Sequence, residues 1–138
     1  MPVIEELICT EQDGTISFGN YKLGQKAKKS DFEYQGDMYK VKTYNEITKL
    51  ERNDMFVYES VPGTAAEHFR VTDEGVEFTV EGSKDAQITV QLENDTDYEI
   101  YVNDSAVGNM RTNMSGKLSV SVELEEGISI PVKAVRRG

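Results

Sequence analysis

"YEIYVNDSAVGNMRTNMSGKLSVSVEL", Tyr98 to Leu124, alternates apolar and polar residues more regularly than any other part of this 138-residue chain. Tyr98, Ile100 and Val102 share one face, and after a turn Leu118, Val120, Val122 and Leu124 do so again. That is the period of two of a half-buried strand. Outward from this stretch the period recurs at Val76, Phe78 and Val80, at Ile88, Val90 and Leu92, and at Ile128, Ile130, Val132 and Ala134. Turn residues separate the runs: "TDEG" (72–75), "EGSKD" (81–85), "ENDTD" (93–97), "VNDS" (102–105), "NMSG" (113–116) and "EEG" (125–127). About seven strands spaced some 8 to 12 residues apart predict an all-β fold, with an antiparallel sandwich over 65–138. Pro131 has no N–H for a ladder and is expected on an edge strand or at a bulge.

Residues 1–64 read as a small β-meander or hairpin subdomain preceding that sandwich. "EQDGT" and "YQGDMY" are hairpin turns, the second joining "DFEY" to "MYKVKTY", and "ERND" joins "EITKL" to "MFVYES". "YKLGQKAKKSD" has the composition of an exposed loop with room for a short helical turn. "SVPGT" (60–64), where Pro62 and Gly63 are adjacent, marks the boundary between the halves.

Charge closes off one partner class. The formal net charge is −10, with 11 acidic against 8 basic residues up to Thr64 and 14 against 7 beyond it. Affinity for a phosphate backbone needs clustered lysine and arginine, so no nucleic-acid partner is expected. Hydrophobic residues make up 38% of the chain and no apolar run approaches the roughly 18 residues of a membrane helix, so no membrane insertion is expected. The start, "MPVIEELICTEQDG", shows neither a basic n-region nor a long apolar h-region. Cys9 is the single cysteine and cannot form an internal disulfide, which favours a reducing, cytoplasmic location. It reads as a buried, inert thiol, and a catalytic role would need His68 nearby.

His68 is the only histidine, which excludes a zinc site built on two or more, and Cys9 alone makes no structural cage. Glu93, Asp95 and Asp97 alternate in "ENDTDYE", yet the run lacks the glycine and distant glutamate of an EF-hand loop, and a polar surface turn accounts for it. No G-x-S-x-G elbow, P-loop or G-x-G-x-x-G is present. No metal and no cofactor is expected. Arg111 is the one long cation among small polar residues of its stretch, placed to pair with an acidic neighbour across a sheet.

Eight of the twelve aromatic residues precede the boundary: Phe18, Tyr21, Phe32, Tyr34, Tyr39, Tyr44, Phe56 and Tyr58. Two readings stand side by side. One is a small core with amphipathic tyrosines at its rim. The other is an aromatic contact surface for a partner protein or a second copy of the chain, with Tyr34, Tyr39, Tyr44 and Tyr58 as its binding residues and "SVPGT" beside them.

Two resemblances bear on function. The rhythm of Tyr98 to Leu124, a tyrosine-led strand, the turn "VNDSAVG", the turn "TNMSG" and the strand "KLSVSVEL", is similar to Ig-like and fibronectin-III-like modules appended to bacterial polysaccharide-active enzymes. Such modules are spacers or contact surfaces. The segments "EELICTEQDGTISFGNYKL", "GDMYKVKTYNEITKLE" and "MFVYESVPGTAAEHFRV" resemble a group of short bacterial proteins labelled endosialidase, a resemblance that implies glycan hydrolysis. The Asp-box S-x-D-x-G-x-T-W is not matched by "TEQDGTISF", and Arg52, Arg70, Arg111, Arg136 and Arg137 show no clustered spacing. No catalytic residue carries over. The expectation is therefore a non-catalytic binding or self-assembly module, a possible homo-oligomer with a protein partner; the alternatives are a carbohydrate-binding module and an endosialidase-like glycan hydrolase.

Overall fold

The computed structural model describes residues 3–137 and contains thirteen strands and no helix among them. In chain order these are β1 (Ile8–Thr10), β2 (Ile16–Phe18), β3 (Ala27–Tyr34), β4 (Asp37–Tyr44), β5 (Ile47–Arg52), β6 (Met55–Val61) and β7 (Ala65–Thr72). They continue with β8 (Gly75–Glu81), β9 (Ala86–Gln91), β10 (Asp97–Val102), β11 (Ser105–Arg111), β12 (Lys117–Val122) and β13 (Ile130–Arg136). All pair antiparallel in two sheets: sheet A in the order β1-β2-β7-β8-β13-β10-β11, and sheet B in the order β12-β9-β6-β5-β4-β3. The result is an all-β sandwich. Among the described residues no helix is long and apolar enough to cross a membrane.

The alternation read from the sequence places the inner faces. Val76, Phe78, Val80, Ile88, Val90, Tyr98, Ile100, Leu118, Val120, Val122, Val132 and Ala134 are all buried in one hydrophobic cluster. That cluster also takes Ile8, Ile16, Phe18, Val41, Leu50 and Tyr58 from before residue 64. Strands of both halves therefore share both sheets and one core. The boundary at 64/65 is a place where the chain crosses from sheet B to sheet A, between β6 and β7.

That crossing is held by a cluster of buried hydroxyl groups. Thr43, Thr48, Ser60 and Thr64 are fully buried hydroxyl residues. The Thr48 hydroxyl donates to the Thr64 carbonyl (2.8 Å) and accepts from its N–H (3.1 Å), while the Thr64 hydroxyl pairs with Tyr58 OH (2.8 Å) and with Ser60 (2.7 Å). Burying polar groups is tolerable only when each is bonded, and among the described residues no buried side-chain polar atom lacks a partner. The loop "SVPGT", expected at a contact surface, is thus largely interior from Gly63 onward.

Two further expectations are corrected. Of the lysine-rich piece "YKLGQKAKKSD", residues 21–26 form the expected loop, whereas 27–31 open β3, the edge strand of sheet B. Pro131 lies on β13, an internal strand between β8 and β10. Pairing of β13 with β10 ends at Val102↔Val132. The Pro131 carbonyl accepts from Asn103 N–H (2.8 Å) in the following turn; its missing N–H points the same way, past the last ladder pair, where none is needed. At the far edge of sheet A, β11 is exposed along its whole length, with Val107 and Met110 in solvent.

Candidate functional site

The outer face of sheet A carries a groove of about 520 Å³ over β7, β8, β13 and β10. Strand register sets its floor. Arg70 pairs with Glu77, Glu77 with Lys133 and Lys133 with Tyr101, so four side chains on four adjacent strands form one row. At about 4.8 Å between strands the row runs roughly 14 Å. Within it Arg70 Nη1 lies 3.7 Å from Glu77 Oε1, and Lys133 Nζ sits 5.1 Å from the centroid of the Tyr101 ring. Thr79, Asp104, Thr15, Asp13 and His68 close the sides.

His68 reaches this groove through a β-bulge. The register of β7 on β8 shifts between Glu67 and Arg70, and His68 has φ +54, a left-handed conformation uncommon for a residue with a side chain. The extra residue lets Phe69 stay in the core while Glu67 and Arg70 both keep ladder positions on the outer face. His68 N–H donates to Ser17 Oγ (3.0 Å), and Ser17 donates in turn to Glu11. A bulge of this kind re-aims a side chain, here the imidazole of His68.

Beyond the bulge, Asp13 and Thr15 from the β1–β2 turn clasp the imidazole. Asp13 Oδ1 accepts from Thr15 N–H (3.0 Å) and from the Thr15 hydroxyl (2.5 Å), and Asp13 Oδ2 lies 3.0 Å from His68 Nδ1. Thr15 Oγ1 is also 3.3 Å from the same nitrogen. A hydrolytic relay needs hydroxyl and carboxylate on opposite ring nitrogens, with the hydroxyl proton aimed at the ring. Here both address Nδ1 and the hydroxyl proton goes to the carboxylate. The trio orients a ring and holds an anion; it does not activate Thr15.

The two hydrogen bonds from Thr15, reinforced by His68, lower Asp13 from its ordinary 3.8 to about 2. Asp13 therefore stays ionised at neutral pH and cannot serve there as a general acid. Since the folded value is depressed, its contribution to stability is present above about pH 4 and is lost as pH falls toward 2. Thr15→Val is expected to raise the Asp13 midpoint toward 3.8, read from the side-chain carboxyl shift in an NMR titration; an unmoved midpoint would refute the assigned cause.

The four tyrosines picked from the sequence do not form one surface. Tyr58 is fully buried at the centre of the aromatic cluster, and Tyr39 is 8% exposed, its hydroxyl pushed up by burial. Tyr34 packs edge-on against Tyr39 at 5.7 Å and donates to the Gly14 carbonyl. Tyr44 donates to Glu46 at 3.2 Å. The rim-and-core reading describes them. Tyr101, not singled out by the sequence, is the tyrosine in the groove.

Other candidates settle into structure. Arg111 pairs with Asp97 across the sheet and contacts Asp95 Oδ1 at 2.9 Å and Asp97 Oδ2 at 3.1 Å, which occupies two of the three alternating acids of "ENDTDYE". Among the described residues no group of three or more His, Cys, Asp or Glu is placed to hold a metal ion. Cys9 is half-buried on β1, and burial together with Glu11, Glu6 and Glu67 pushes its thiol up, away from the reactive thiolate. Glu81, 3% exposed, accepts from Tyr21 OH (2.9 Å) and from Gly127 N–H (2.6 Å), tying the β12–β13 loop to the β2–β3 segment. In comparisons with protein-family models, curated proteins and solved structures, the chain matches none.

Proposed function

We propose that this chain is a non-catalytic binding module that holds a glycan in the outer groove of sheet A. The observation carrying this is the cross-strand row Arg70–Glu77–Lys133–Tyr101 beside the bulge-presented His68. Sugar hydroxyls both donate and accept, and a row alternating cation, carboxylate, cation and aromatic ring offers them acceptors, donors and one apolar face within reach of each other. Two cations and one carboxylate leave the row with a net charge of +1, which Asp13 and Asp104 at its sides more than offset, so no excess of positive charge dominates the groove and a neutral, polyhydroxylated ligand suits it. Rigid strands carry every one of these groups, so little ordering is needed on binding.

Calorimetric titration with neutral β-glucan, xylan and mannan oligosaccharides tests this. One of them is expected to bind saturably, with Tyr101→Ala weakening it about tenfold or more, as for a central aromatic anchor. Tyr44→Ala, on sheet B where its hydroxyl meets Glu46, is expected to leave that affinity unchanged. Absence of heat across the panel would count against the groove as a glycan site.

A further inference from the structure

The opposite layer carries a feature that neither the fold nor the groove explains. On the outer face of sheet B, Lys28 pairs directly with Lys42, and Lys42 directly with Lys49, on the adjacent strands β3, β4 and β5. Lys40 lies beside them, facing Glu51, and the four lysines with Glu51 line one depression of about 190 Å³. Half of the chain's ten lysines, Lys28, Lys40, Lys42, Lys49 and Lys117, occupy this face in a protein of net charge −10. Like charges directly opposite one another weaken a sheet. The carboxylates in reach relieve only part of this: Glu51 contacts Lys40 (3.4 Å) and Lys49 (3.6 Å), and Asp54 contacts Lys40 (3.9 Å).

We infer that this face is a second binding site, for an acidic polysaccharide whose sulfate or carboxylate groups lie along the lysine row. The row covers about 10 Å, two strand spacings, and then changes character. Beyond Lys49 the same cross-strand line continues through Glu59, Thr89 and Ser119, with Thr89 and Ser119 hydroxyls 2.7 Å apart. Gln91 and Lys117 form the next pair, and Lys117 Nζ lies 4.6 Å from the centroid of the Phe56 ring. Cations in excess over the carboxylates of Glu51 and Glu59, with hydroxyls, an amide and a ring on the same face, match a sugar chain that carries sparse negative charge. Duplex DNA carries one charge per roughly 1.7 Å, far denser than this short row, and the rest of the acidic surface would repel it. The site is independent of the sheet A groove.

The test is calorimetry at low salt with polygalacturonate and dextran sulfate, using neutral dextran and duplex DNA as comparators. At least one acidic polymer is expected to bind saturably while dextran and DNA do not. The triple change Lys28→Gln, Lys42→Gln, Lys49→Gln should weaken that binding by about tenfold or more, and each single change about two- to fivefold. A control triple of equal charge change, Lys84→Gln, Arg136→Gln, Arg137→Gln, should weaken it less than about twofold. Lys42→Gln should melt at or above the wild-type temperature, because it relieves repulsion. Silence with both acidic polymers, an equal loss in the control triple, equally tight DNA binding through the same lysines, or a falling melting temperature for Lys42→Gln would each overturn the assignment.

Discussion

Tyr58→Ala is expected to destabilise the protein by about 4 kcal/mol and to lower its melting temperature by roughly 15 °C. Tyr58 stands on β6 in sheet B, and its ring meets Phe18, Phe69 and Phe78 of sheet A edge-on, at 5.0, 6.0 and 5.6 Å between centroids. These are the contacts that hold the two layers in register. Truncation removes a large, fully buried side chain and leaves a cavity that backbones bound in two ladders cannot collapse to fill. Stability of a domain this size is about 5–15 kcal/mol, so the loss is a large share of the total. Tyr58→Phe separates the ring from its hydroxyl. Thr64 Oγ1 keeps Ser60 as partner at 2.7 Å, so that change should cost only about 1 kcal/mol. Denaturant unfolding checks both, and an alanine cost below about 2 kcal/mol would show that Tyr58 does not hold the layers together.

Gly63→Ala should cost on the order of 3 kcal/mol or more. A Cβ at Gly63 would stand 2.0 Å from the Tyr44 carbonyl oxygen, a backbone atom fixed by the β4–β5 hairpin. To make room, Gly63 must withdraw from the Asn45 carbonyl that its N–H reaches at 3.1 Å, and the neighbouring Thr64 must leave Thr48. Gly24→Ala is the control. Its Cβ would meet nothing within 4 Å, and a change within about 0.5 kcal/mol is expected. Equal costs at the two positions in equilibrium unfolding would contradict the close approach at the crossing.

Alternation made the inner faces legible because each inward residue of β8, β9, β10, β12 and β13 meets the same core, whichever sheet it belongs to. Which strands pair was legible only where the chain doubles back at once, as at "YQGDMY" and "VNDS". "EGSKD" and "ENDTD" have the same turn chemistry but lead from one sheet to the other, so composition could not tell a hairpin from a crossing. The split into 1–64 and 65–138 came from that blindness: "SVPGT" looks like a linker, yet its Thr64 is held inside by hydroxyls of β5 and β6.

The site was less visible still. Tyrosine is at home at a rim or in a core, and Tyr58 went inside because Thr64 and Ser60 bring a partner for its hydroxyl. The bulge had one trace in the sequence. Ala66 and Phe69 are both buried but three residues apart, a break in the period of two within "AAEHFRV". The rows Arg70–Glu77–Lys133–Tyr101 and Lys28–Lys42–Lys49 join residues as much as 63 and 21 positions apart, and only strand register brings them side by side.

Backbone amide mapping by NMR during addition of the neutral oligosaccharide that binds is the most direct test of the groove. The shifts should concentrate at residues 13, 68, 70, 77, 101 and 133, with sheet B unmoved. Shifts confined to sheet B or to the β11 edge, or none at saturating glycan, would contradict a binding site on sheet A.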